Sequence, residues 1–144
     1  MRAPNQDDAT LYLRLHALKD TPIQAQAREW FFESFDAASF GEVQRRYPPG
    51  SHERHLLAEF LGFFEAAGVL VSRGLLHEDV FFDAPFALDA VWRKLEPIIS
   101  QWQRAAGEPA VWENVEWLCR RYEVWTTSTW RHKLKAVPPE QGPG

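Results

Sequence analysis

The stretch Ser51-His52-Glu53-Arg54-His55-Leu56-Leu57-Ala58-Glu59-Phe60-Leu61-Gly62-Phe63-Phe64-Glu65-Ala66-Ala67-Gly68-Val69-Leu70-Val71-Ser72-Arg73-Gly74 is the most apolar in a chain of 144 residues. Leu56, Phe60, Phe63, Ala67 and Leu70 recur at spacings of three and four, the period of one face of an α-helix. Leu57, Phe64 and Val71 widen that face, so the helix needs covering over a broad arc. Ser51 stands in N-cap position and Gly74 supplies a left-handed stop. The spacing therefore predicts a central helix over residues 51–73.

Toward the C-terminus, residues 75–83 are predicted as a short helix ending at Ala84-Pro85. From Pro85 to Arg104, Leu88, Val91, Trp92, Leu95, Ile98, Ile99 and Trp102 form a second stripe, with Asp89, Arg93, Ser100 and Arg104 opposite. Pro97 falls on the polar side and removes the bond to the Arg93 carbonyl, which predicts a kink rather than a break. After Gly107-Glu108-Pro109, the last main helix points Val111, Val115, Leu118, Tyr122 and Trp125 inward. Thr126-Thr127-Ser128-Thr129 then weakens the pattern, leaving Trp130 to Lys135 as a short turn or a loose basic arm.

Toward the N-terminus, Ser39-Phe40-Gly41-Glu42 has capping-box spacing and starts a short helix that stops before Pro48-Pro49-Gly50. Thr21-Pro22 places a cap and an N1 proline ahead of a helix burying Ile23, Ala27, Trp30 and Phe31. Residues 8–19 carry Leu11, Leu15 and Leu18 at helical spacing. The chain is thus expected to be all-α: a compact bundle of about six helices with a Pro-kinked central helix. It forms a single domain over residues 1–136, centred on the 51–73 and 85–104 helices, with a disordered Pro/Gly-rich tail over 137–144.

Hydrophobic residues at 45% and charged residues at 25% are the balance of a chain that folds around a core. A net charge of −4 disfavours nucleic acid and anionic lipid as partners, since both need a basic field. Residues 117–144 nevertheless hold five basic and two acidic side chains, a balance of +3, against −7 for residues 1–116. An anionic partner would favour the C-terminal end. The single cysteine, Cys119, fits a reducing compartment. The N-terminus has no apolar signal core, and no apolar run approaches the roughly 18 residues that span a bilayer, so the expectation is a cytoplasmic protein without a membrane segment.

The stretch Phe60 to Gly68, continuing through Arg73-Gly74-Leu75-Leu76 and Trp92-Arg93-Lys94-Leu95-Glu96-Pro97-Ile98-Ile99, resembles a group of bacterial all-helical proteins classed as a domain of unknown function. In that group a helix ending in a glycine turn precedes a Trp-x-x-Leu-x-Pro-Ile helix, and an aromatic, Arg-rich helix comes last, as Glu113 to Tyr122 does here. The likeness covers roughly residues 25–122. It implies an all-α fold and brings no catalytic residue, cofactor or substrate.

Among candidate sites, His52-x-x-His55 with Glu59 places three metal-ligating residue types on one helical face. That face lies opposite the apolar stripe, and the Glu-x-x-His pairs of di-iron bundles are absent. Arg46-x5-His52 has the spacing of helical ribonucleases, with arginine for phosphate charge and histidine as acid or base, but Pro48-Pro49-Gly50 intervenes. There is no phosphate loop, nucleophile elbow or Cys-x-x-Cys pair, and Cys119 reads as an inert buried thiol. The acidic segment 75–86 makes a poor DNA-recognition helix.

Seven Trp and ten Phe exceed the needs of a small core. On the helical wheel Trp117 lies about 240° from Val111, and Phe32 roughly 150° from the centre of its helix's stripe. Trp130 sits in the basic tail. These aromatics, with Arg120 and Arg121, mark either an interaction surface or a second layer of the bundle that buries them. The expected function is a non-enzymatic protein–protein interaction module without cofactor or metal, binding a protein partner or self-associating as a homodimer. The alternative is a metal-dependent hydrolase or ribonuclease using His52, His55 and Glu59, or Arg46 with His52.

Overall fold

A computed structural model describes residues 2–136 and the side chains of residues 2–128. These form seven helices and no strand: α1 (Gln6–Lys19), α2 (Pro22–Glu33), α3 (Phe40–Arg46), α4 (His52–Ser72), α5 (Glu78–Phe82), α6 (Leu88–Ala106) and α7 (Glu113–Ala136). The all-α expectation holds, with seven helices rather than about six. Residues 137–144, expected as a disordered tail, lie outside the described residues.

Several ends are set as the sequence predicts. Ser51 and Ser39 accept from the Arg54 and Glu42 amides, each 3.1 Å away, satisfying N–H groups that the first turn leaves orphaned. Gly74 and Gly107 close α4 and α6 at positive φ, 72° and 64°. Thr21 differs: its hydroxyl donates back to the Leu18 carbonyl at 2.8 Å and makes no cap bond, so Pro22 alone eases the start of α2. Leu18 is 55% exposed and does not join Leu15 in the core. Helix α1 packs chiefly against α5 and α2 at the rim of the bundle, so its buried strip is narrow.

Helix α6 runs unbroken through Pro97, which is exposed, and buries Leu88, Val91, Trp92, Leu95, Ile98 and Ile99. It begins three residues later than Pro85 because Ala87 adopts a left-handed conformation, φ 54°. Helix α7 extends beyond the predicted weak point at Thr126. The hydroxyls of Thr126, Thr127 and Ser128 donate to the carbonyls four residues back, at 2.6, 3.0 and 3.0 Å. Bonded this way they stay inside the helical ladder instead of competing with it.

Helix α4 is central, as its wide face requires. It is 21 residues long and an 18-residue stretch of it has a mean hydropathy of 1.4, so by length and composition alone it could cross a membrane, contrary to the expectation that no run approaches that length. Its apolar side chains, Leu57, Phe60, Leu61, Phe64 and Ala67 among them, are here buried by neighbouring helices. The helix packed most closely on it is α7, followed by α2, whereas the sequence pointed to α6. Gly68 explains the choice: a Cβ there would lie 2.4 Å from the Asn114 carbonyl oxygen, so only glycine admits the α7 backbone. Three residues earlier, Glu65 accepts from the Asn114 and Val115 amides at 2.9 and 3.2 Å and caps α7 from outside. At the far end of α2, Lys94 donates to the carbonyls of Phe31, Phe32 and Phe35, closing that helix from α6.

Candidate functional site

Helix α7 has two unlike faces. Inward, Val115, Leu118, Cys119 and Trp125 are buried. Burial first, and the charge of Glu123 second, push the Cys119 thiol up to about 12, so it carries almost no thiolate at neutral pH and is a poor nucleophile. Outward, Trp117 is 36% and Val124 55% exposed. Seven residues are two helical turns, so these apolar side chains share one face. Arg120 stands beside them, its guanidinium 5.3 Å from the Trp92 ring centre and bonded to Glu116 at 3.2 Å.

The other residues singled out from sequence are placed differently. Arg121 turns to α5, where it makes a two-pronged pair with the buried Glu78 at 2.7 and 2.8 Å. Phe32 is half-buried, edge-on to Phe31 and Phe60 with ring centres 5.4 and 5.8 Å away. Trp130 belongs to the helical backbone of α7, and its side chain lies outside those described.

The histidines on α4 face solvent. His52 Nε2 lies 3.2 Å from the Gln26 side-chain nitrogen. His55 Nε2 lies 3.7 Å from Glu59 Oε1, while the other Glu59 oxygen accepts from Gln24 at 3.3 Å. Among the described residues no three His, Cys, Asp or Glu side chains are grouped to hold a metal ion. Arg46 is drawn to Asp36, donating to its carbonyl at 2.6 Å, and so engages a different partner from His52.

A second polar cluster has almost no signature in the sequence. Asp8 has no exposed surface and accepts two bonds from Arg2 at 2.6 Å, one from the Asn5 amide at 2.8 Å and one from the His77 amide at 2.9 Å. The Arg2 guanidinium, helped by those amides, holds its carboxyl well below the usual carboxylate range. His77 Nδ1 accepts from the Asp79 amide at 3.0 Å, which leaves the proton on Nε2 to donate to the Arg2 carbonyl at 2.6 Å. Asp79 in turn accepts from the Trp125 indole at 2.8 Å. The cluster thus ties the N-terminal segment through α5 to α7. Its one sequence signal is Asn5-x-x-Asp8, a capping-box spacing in which the acid, taken locally, is only a partner for the helix dipole.

These features define an all-α domain whose distinctive residues are chiefly structural ties: Glu65 and Gly68 under α7, Gly74 at a turn, Lys94 on α2. The family model of a domain of unknown function, DUF4760, matches residues 6–122, from α1 through most of the packed part of α7, and the chain belongs to that family. No curated protein and no solved structure matches it.

Proposed function

We propose that the chain is a non-enzymatic helical interaction module, in a bacterial cytoplasm, whose contact face is the outer side of α7. The observation that carries this is the pairing of Trp117 and Val124 on one exposed face with Arg120 between them. A large aromatic flanked by a guanidinium is the composition of an interface hot spot. The partner is a protein surface offering an apolar side chain among carboxylates, because the C-terminal end carries +3. A second copy of the chain supplies such a surface, since residues 1–116 carry −7, and a homodimer is the first assembly to test. The hydrolase or ribonuclease alternative has only the His55–Glu59 contact in its favour.

Sedimentation velocity of wild type against Trp117→Ser and Val124→Ser, with thermal melting of each, tests the proposal. Wild type should associate and both variants should associate more weakly, while stability falls by under about 1.5 kcal/mol. If wild type stays monomeric at high concentration, the homodimer fails. A stability loss of several kcal/mol in Trp117→Ser would make that residue part of the core and remove the face.

A further inference from the structure

The end of α1, one side of α2 from Gln24 to Phe32, the middle of α4 and the Pro85-Phe86-Ala87 corner enclose a cavity of about 70 Å³. Phe32, Phe60, Phe63, Phe64 and Phe86 supply its aromatic lining. Among the described residues, the charged groups on its wall are two cations, Lys19 and Arg28, and no carboxylate lines it, in a chain whose net charge is −4. Both cations are held in place. Lys19 Nζ lies 5.1 Å from the centre of the Phe86 ring, and Arg28 Nη1 donates to the Lys19 carbonyl at 3.1 Å. That bond uses one of the five donors of the guanidinium.

The third polar residue of the wall, Gln24, directs its amide nitrogen to the Glu59 carbonyl at 2.9 Å and leaves the charge of the site to the cations. Helix α6 begins on the same wall at Ala87, which offers no side-chain cap, so the positive end of a 19-residue helix adds to the field. Asp89 in its first turn is paired with Arg93 at 3.7 Å. At about 10–15 Å³ of such space per water, the cavity has room for about five waters, the bulk of one benzene ring or a short acyl chain.

We propose that this cavity binds a small apolar carboxylate, its ring or chain among Phe60, Phe64 and Phe86 and its carboxylate between Lys19 and Arg28. Phenyl faces receive the apolar end, and the two cations provide charge-assisted bonds that a neutral or cationic molecule of the same shape does not make. The site is separate from the outer face of α7, so its test and the association test fail independently.

The experiment is an amide and side-chain NMR titration of the full chain with phenylacetate, 2-phenylethanol, phenethylammonium and acetate. Phenylacetate should shift signals of Phe32, Phe60 and Phe86 and bind at least about fivefold more tightly than the alcohol, with phenethylammonium weakest. Lys19→Gln should narrow the preference for phenylacetate over the alcohol, and Lys19→Gln combined with Arg28→Gln should abolish it. Equal binding of the charged and neutral probes, acetate binding as tightly as phenylacetate, or shifts confined to other surfaces would each overturn the proposal.

Discussion

The seam beneath α7 and the solvent faces of α4 and α7 are built from the same residue types, yet they behave as different materials. In the seam, Asp8, Glu65, Glu78 and Asp79 each receive donors from another part of the chain. On the solvent faces, His52, His55, Glu59 and Arg120 make contacts that are long, local or open to water. A carboxylate or histidine thus takes its role from what meets it across the fold. An acid that takes donors from another element holds two elements together, most strongly where it is buried, as Asp8 and Glu78 are, whereas an exposed local pair contributes little.

The heaviest loss is expected in the seam, at Gly68. Gly68→Val forces atoms against the Asn114 backbone, which has no rotamer by which to escape, and should cost on the order of 3 kcal/mol in chemical denaturation. Retention of wild-type stability would mean that α7 does not approach α4 as described.

A smaller but clear loss is expected from Asp8→Asn, which removes the charge that Arg2 and two backbone amides address. Because the folded state lowers the pKa of Asp8 and so favours its ionised form, its contribution is complete above the ordinary carboxylate value of 3.8. It is lost as pH falls below that value toward the lower folded one. Urea midpoints measured from pH 5 downward should therefore fall more steeply for wild type than for Asp8→Asn; parallel curves would remove Asp8 from the acid response.

The least change belongs to the solvent face. His55→Ala, which breaks only an exposed contact with Glu59, should change stability by less than about 0.5 kcal/mol. A drop comparable to that of Asp8→Asn would erase the distinction between the two regions.

Local periodicity and capping chemistry determine most of the elements. The stripe of α6, the wide face of α4, the serine caps at Ser39 and Ser51 and the glycine stop at Gly74 act between residues close in the chain, and the order of residues alone makes each of them legible. The signature linking the chain to its family is legible for the same reason. Folding in three dimensions settles the rest: that α7, rather than α6, lies closest to α4, that Arg121 faces Glu78, and that Phe32 helps line a cavity beside Lys19 and Arg28. Each of these depends on partners tens of residues apart or on the shape left between helices. Helical spacing tells which residues share a face, and only packing tells what that face meets.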